Sequence, residues 1–254
     1  MNMELRQSQM QQFIEEGYLR IPDVVPKIMV NRALRAIHHS LGEGFPPDQA
    51  RFYRMQSYCP ELMKRAEIVD LALQTPAWDL AEALMGTDNI TPVSVGQIAL
   101  RFPVLEEPLE TVSPHLDGTY SPLNGVPEGS LRGFSMLLGV VLRDIEETDA
   151  GNLMVWPGSH HLYAQYFRQH GWESLLQGMP AVDLGNPVQV TAKAGDVLLV
   201  HYLLGHGTSA NLSPNIRYTV YFRLRHRQHD SAKSAVAPWR DFQRLADQVP
   251  GLIS

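Results

Sequence analysis

From about residue 90 onward, short apolar or alternating runs are separated by glycine and proline turns, and this pattern limits the fold more than any other feature. The runs lie near 92–102, 109–115, 132–143, 152–156, 187–191, 196–201 and 216–225. Each is long enough for a strand and too short for a stable core helix. Many short strands joined by turns can bury their apolar faces only by folding back on one another, as a sandwich or barrel of the jelly-roll type. Ala194-Gly195-Asp196 is a turn of this kind, leading into Val-Leu-Leu-Val-His-Tyr-Leu-Leu. Two long connections interrupt the strands, 118–133 and 159–186, and the second should hold a helix around 162–171. Long loops in a compact domain often act as lids. The first, rich in glycine and adjoining Asp117, is expected to close over a bound molecule.

The first 90 residues read differently. Leu5, Met10, Phe13 and Ile14 fall at helical spacing over 4–16, and Gly17 stops the run. Pro26 can open a second helix carrying Ile28, Met29, Ala33, Leu34 and Ile37 and ending near Gly42. Residues 42–60 look like a loop. Residues 61–85 predict two short helices broken at Thr75-Pro76 and closed by Gly86. The tail from Trp239 reads as one amphipathic helix. The expectation is a single domain over 1–254: a mainly helical part at 1–90, a jelly-roll core at 91–227 and a helical tail at 228–254.

The formal net charge of −6 gives no reason to expect nucleic acid or an anionic membrane as partner. No apolar stretch would span a bilayer, and the opening residues lack the apolar core of a signal peptide. The single cysteine, Cys59, allows no intrachain disulfide, so a reducing, cytoplasmic setting is expected. Cys59 precedes a proline and has no basic neighbour, so a plain structural thiol is the expectation.

The chemistry concentrates in Ser-Pro-His-Leu-Asp-Gly at 113–118. On a strand, His115 and Asp117 share a face. Imidazole with carboxylate suits Fe(II), Mn(II) or Zn(II), but His-x-Asp alone is weak evidence, since surface pairs of this kind are common. A third ligand is needed. His206 follows an apolar strand and precedes a glycine that allows close approach. His201 is its rival. Two histidines and one carboxylate leave open positions, as in oxygen-activating iron(II) sites. Arg217 lies eleven residues beyond His206. If it faces the interior it needs an anion, and the far carboxylate of 2-oxoglutarate would serve. A surface arginine at a loop end is the ordinary alternative.

Taken together, these segments resemble the phytanoyl-CoA dioxygenase-like family of 2-oxoglutarate-dependent oxygenases. QMQQFIEEGYLRIPDVVP at 9–26 is similar to its first helix and strand. AGNLMVWPGSH at 150–160 is similar to its Gly-x-Leu-x-Val-x-Pro-Gly-Ser-His signature. AGDVLLVH, His206-Gly-Thr, Asn211 and Arg217 resemble its distal histidine and oxoglutarate-arginine segment. Ala150 stands where the family often has asparagine, and Thr208 where it often has serine; neither change removes a ligand. The retained Asp117 disfavours a halogenase.

The resemblance implies a double-stranded β-helix (jelly roll, cupin-like) core with flanking helices. It also implies Fe(II) on His115, Asp117 and His206, with 2-oxoglutarate, O₂ and ascorbate as a reductant. Arg217 and Thr208 would fix the cosubstrate, with Gln97 or Arg101 in SVGQIALRF as a further polar contact, Gln97 being preferred. The expected reaction is hydroxylation of an unactivated C–H of a small organic molecule, releasing succinate and CO₂. Desaturation, cyclisation and epimerisation use the same ligands and stay open. A non-oxidative metal cupin or binding protein would not need Arg217. A monomer or homodimer is expected. Among the remaining residues, His38 and His39 should be solvated and His160 a structural hydrogen-bonder. The basic cluster at 223–229 should be a solvated strand end, although it could attract an anionic substrate. Trp156, Tyr120 and Arg-Phe-Tyr-Arg-Met-Gln-Ser-Tyr at 51–58 are candidates to line the pocket.

Overall fold

The computed structural model describes residues 4–104, 112–122 and 124–248, without the side chains of 47 and 246–248. Helix α1 (Gln7–Glu16) buries Met10, Phe13 and Ile14 and ends at Gly17, whose φ of 80° is left-handed. A side chain there would also press within 2.6 Å of His160 Nδ1, so only glycine fits. Strand β1 (Tyr18–Ile21) follows, then α2 (Lys27–Gly42), entered at Pro26. Helix α2 buries Val30, Ala33 and Ile37, whereas Ile28 points outward and is 71% exposed. The segment 42–60 is not all loop, since it contains α3 (Ala50–Met55). That helix buries no residue, so it has no apolar periodicity to reveal it. Helices α4 (Ala66–Leu73) and α5 (Pro76–Met85) are separated as expected. Thr75 caps α5, its Oγ1 accepting from the Ala77 N–H.

The remaining elements are β2 (Ile90–Thr91), β3 (Gln97–Arg101), β4 (Met136–Val141), β5 (Leu153–Val155), α6 (Ser159–His170), β6 (Val188–Val190), β7 (Val197–His201), β8 (His206–Thr208), β9 (Arg217–His226), α7 (Ser231–Val236) and α8 (Gln243–Gln248). All strand pairs are antiparallel. The larger sheet runs β1-β7-β4-β9-β2, with β3 also on β9; the smaller runs β6-β5-β8. These two sheets form the double-stranded β-helix core, flanked by helices. Every residue of β4 and β7 is buried, because both faces of these central strands are covered. Of the strand expected over 109–115, residues 109–111 lie outside the described residues. His115 makes only an isolated bridge, to His206.

The tail departs from a single helix: Trp239–Asp241 form a turn, and α8 begins at Gln243. Asp241 explains the break. Its buried carboxylate accepts from Ser135 Oγ (2.5 Å) and Ser234 Oγ (3.1 Å) and meets His229 Nδ1 (2.5 Å). A continuous helix from Trp239 would give up this anchorage. Among the described residues, no helix is long and apolar enough to cross a membrane.

Candidate metal centre

His115 and His206 are paired through their backbones, His115 N–H to His206 O (3.0 Å) and His206 N–H to His115 O (3.1 Å). This bridge brings the two imidazoles side by side, tilted at 51° with centroids 4.5 Å apart. A turn at Asp117-Gly118 then brings the Asp117 carboxylate to them. His115 Nε2 and His206 Nε2 each lie 3.8 Å from Asp117 Oδ1. One donor atom from each of the three residues falls within a 4.8 Å cluster. The shared face is therefore made by a bridge and a turn, not by the continuous strand expected from the sequence.

Each side chain is fixed by its surroundings. His206 Nδ1 donates to Leu204 O at 2.9 Å, which turns the Nε2 lone pair towards the cluster. Arg223 holds Asp117 Oδ2 through Nη2 (2.7 Å) and Nε (3.0 Å), leaving Oδ1 to face the histidines. Burial opposes charge on Asp117, but Arg223 and the two histidines hold its carboxyl well below the usual carboxylate range. Burial and the neighbouring His206 lower His115 to about 4. Burial also works against the His206 cation, yet the bond to Asp117 leaves its pKa raised. Two imidazoles and one ionised carboxylate oxygen on one side of an open cavity are a donor set that fits divalent iron.

Arg217 is buried on β9, directly across from Arg101 of β3. Its Nε donates to Gly151 O (2.8 Å) and its Nη1 to Ala99 O (3.2 Å). It has no carboxylate partner among the described residues, and burial lowers its pKa. Arg217, Thr208, Gln97 and the three cluster residues line one cavity of about 1560 Å³.

The family model for phytanoyl-CoA dioxygenase matches residues 13–219. The chain belongs to the phytanoyl-CoA dioxygenase family. As a member it is a dioxygenase of the iron(II)- and 2-oxoglutarate-dependent, non-haem kind. Among solved structures, it is similar to the non-haem α-ketoglutarate-dependent carbocyclase SnoK from nogalamycin biosynthesis, with 25% identity and a TM-score of 0.57, covering 85% of this chain and 82% of that one. HygX from Streptomyces hygroscopicus, solved with nickel and 2-oxoglutarate bound, shares 20% identity at a TM-score of 0.58 over 90% of each chain. The epimerase SnoN, also from nogalamycin biosynthesis, shares 18% identity at 0.56, covering 85% of this chain and 78% of that one. A search of curated protein sequences gives no match.

The motifs shared with this dioxygenase family have local physical reasons. Gly151 has a φ of 75°, and a Cβ there would lie 2.7 Å from Arg101 Cβ and 3.3 Å from Arg217 Cβ. Ser159 Oγ accepts the Gly205 N–H (2.8 Å), and the Trp156 N–H reaches Gly205 O (3.0 Å), so the Pro-Gly-Ser-His turn clamps the residue before His206. Gly207 lets β8 approach the segment that leads to His115, since a Cβ would lie 2.6 Å from Val112 Cγ1. His160 Nε2 bonds Ile14 O (3.0 Å), a structural contact.

His201 lies away from the cluster. Its Nε2 bonds Pro238 O (2.9 Å), its Nδ1 accepts the Leu203 N–H (3.1 Å), and its ring packs between Tyr202 and Phe242. His38 and His39 are exposed, and Cys59 is a buried thiol whose pKa burial pushes up. Of the candidate pocket residues, Arg51, Arg54, Met55, Gln56 and Tyr58 line the cavity, whereas Trp156 is buried outside the lining and Tyr120 is 42% exposed outside it. Gln97 lines the cavity, with its Oε1 accepting from Arg223 Nη1 (2.8 Å). Arg223 itself was expected to be part of a solvated strand end. Parity along β9 is the signal that finds it, because Arg217, Tyr221, Arg223 and Arg225 share one strand face and all line the cavity.

Proposed function

We propose that this dioxygenase hydroxylates an unactivated C–H of a small organic substrate. His115, Asp117 and His206 hold the iron, and Arg217 with Thr208 holds the far carboxylate of 2-oxoglutarate. The observation that carries this reading is a buried guanidinium with no carboxylate partner among the described residues, in the same cavity as the His-Asp-His cluster. Bound iron(II) supplies the centre at which O₂ is reduced while 2-oxoglutarate loses CO₂ and becomes succinate. One oxygen atom goes to succinate and the other to the substrate, so R–H becomes R–OH.

The chain's own groups do the positioning. His115, Asp117 and His206 would hold the metal from one side of the cavity, leaving the rest of it to cosubstrate and O₂. Arg223 occupies Asp117 Oδ2, so the carboxylate would offer the metal Oδ1. Arg217, fixed by two carbonyls, presents its remaining N–H groups as a fork to a carboxylate. Gln97 keeps its amide N–H groups available to a cosubstrate or substrate oxygen. The cavity exceeds the usual range of about 300–1,000 Å³ for small-molecule sites, enough for cosubstrate and a second molecule together.

The test is a small-molecule screen read by succinate formation with Fe(II), 2-oxoglutarate and ascorbate, followed by product mass. A hit whose product gains one oxygen supports hydroxylation. A product that has lost two hydrogens, or an isomer of unchanged mass, supports desaturation, cyclisation or epimerisation instead. The carbocyclase and epimerase neighbours favour that second reading. Absence of any Fe(II)-dependent succinate would count against both.

A further inference from the structure

Although the chain carries a net charge of −6, the described residues that line its cavity carry more cationic than anionic side chains. Seven arginines line it, with no lysine and with Asp117 as the only carboxylate among the described residues. Asp117 is already shared by Arg223 and the two histidines. Arg217 lies deep in the cavity, at the place proposed above for oxoglutarate. Arg54 and Arg101 have interactions of their own, which leaves Arg51, Arg132 and Arg225. None of these three has an ion-pair partner among the described residues, and all three are exposed.

They come from three separate elements around the cavity. Arg51 is on α3, the short helix that buries none of its own residues. Arg132 closes the base of the 118–132 loop, its N–H donating to Gly118 O at 2.9 Å. Arg225 is two residues beyond Arg223 on the same face of β9. Three guanidinium groups line one cavity, and an anion placed against them can accept paired N–H bonds, which suit carboxylate or phosphate geometry. Beside them, Phe45, Tyr58 and Phe102 form an aromatic wall, with ring centroids 5.4–6.3 Å apart.

We infer that the outer part of this cavity is an anion subsite and that the substrate is a small molecule with an apolar body and a carboxylate or phosphate group. The inference rests on the dioxygenase reading for the location of the metal. Arg225 lies about 7 Å beyond Arg223 along the strand, at about 3.3 Å per residue. Arg223 touches Asp117. The anionic group of the substrate would therefore be held on the β9 side of the cavity, beyond Asp117.

The test uses benzoate, phenyl phosphate and neutral benzamide, each titrated calorimetrically into the protein held anaerobically with saturating Fe(II) and 2-oxoglutarate. The visible charge-transfer band of the iron–oxoglutarate chelate is recorded in the same sample. Wild-type protein should bind at least one anion about tenfold or more tighter than benzamide, and Arg51→Gln/Arg225→Gln should lose that preference while keeping the band. Preference for phenyl phosphate would identify a phosphate ester, and preference for benzoate a carboxylate. An intact band with no preference for either anion, or a double variant that binds as well as wild type, would overturn the subsite and leave the dioxygenase reading standing. Loss of the band in the double variant would assign these arginines to the cosubstrate and also overturn it. Absence of the band in wild-type protein would be the failure of the dioxygenase reading itself.

Discussion

Replacing Arg217 by lysine separates charge from geometry at the proposed cosubstrate site. Lysine keeps the positive charge, so long-range attraction for 2-oxoglutarate survives. It cannot make the bonds from Nε to Gly151 O (2.8 Å) and from Nη1 to Ala99 O (3.2 Å) while also offering a fork to a carboxylate. At least one charged hydrogen bond to the ligand is then unmade, which costs about 1.5–3 kcal/mol. Because Arg217 is 5% exposed, little solvent is available to make up the loss. Each 1.4 kcal/mol is about tenfold in affinity, so the dissociation constant for 2-oxoglutarate should rise about 10- to 150-fold. Calorimetric titration of 2-oxoglutarate into anaerobic Fe(II)-loaded protein measures this, with Fe(II) affinity as the control. An unchanged oxoglutarate affinity, or an equal loss of Fe(II) affinity, would refute the assignment of Arg217.

Three further outcomes follow from the geometry. Gly151→Ala forces a left-handed backbone, which costs about 1–2 kcal/mol, and drives a Cβ against Arg101 and Arg217, so both the melting temperature and oxoglutarate affinity should fall; retention of both would remove the reason for glycine here. Burial lowers His201 to about 3, so the folded protein keeps it neutral while the unfolded chain protonates it below about 6.5. Its contribution is complete above about pH 6.5 and declines as pH falls towards 3, by about 1.4 kcal/mol per pH unit. Denaturant unfolding of His201→Phe between pH 6 and 4 should therefore show a shallower pH slope than wild type, and an identical slope would contradict this. In the 118–133 loop, Asn124 Oδ1 accepts the N–H groups of Ser121 and Val126 while Thr119, Ser121, Asn124 and Val126 line the cavity. Amide exchange there should slow when Fe(II), 2-oxoglutarate and a substrate are bound anaerobically, and unaltered exchange would reduce the loop to a connection.

How much was legible depended on whether a residue's role is written locally. The α1 stop at Gly17, the α4–α5 break at Thr75-Pro76 and the buried runs of β4 and β7 depend on near neighbours and could be read directly. The candidate site was legible through its spacing from His115 to His206 and Arg217, not through strand periodicity, since Asp117 is delivered by a turn. Helix α3 was not legible because it buries nothing. The break before α8 was not legible because it depends on Asp241 reaching Ser135, 106 residues away in sequence. Arg223 was hidden in a basic cluster whose members have different surroundings: Arg223 and Arg225 line the cavity, His226 is buried and Arg227 is exposed.

The central claim, that His115, Asp117 and His206 hold iron in reach of 2-oxoglutarate, is tested most directly by anaerobic absorption spectroscopy. Adding Fe(II) and then 2-oxoglutarate to wild-type protein should produce the visible charge-transfer band of a keto-acid chelate on iron. The same additions to His115→Ala, Asp117→Ala or His206→Ala should not, while the His201→Phe protein should retain the band. A His206→Ala protein that keeps the full band, or a wild-type protein that never develops one, would contradict the account.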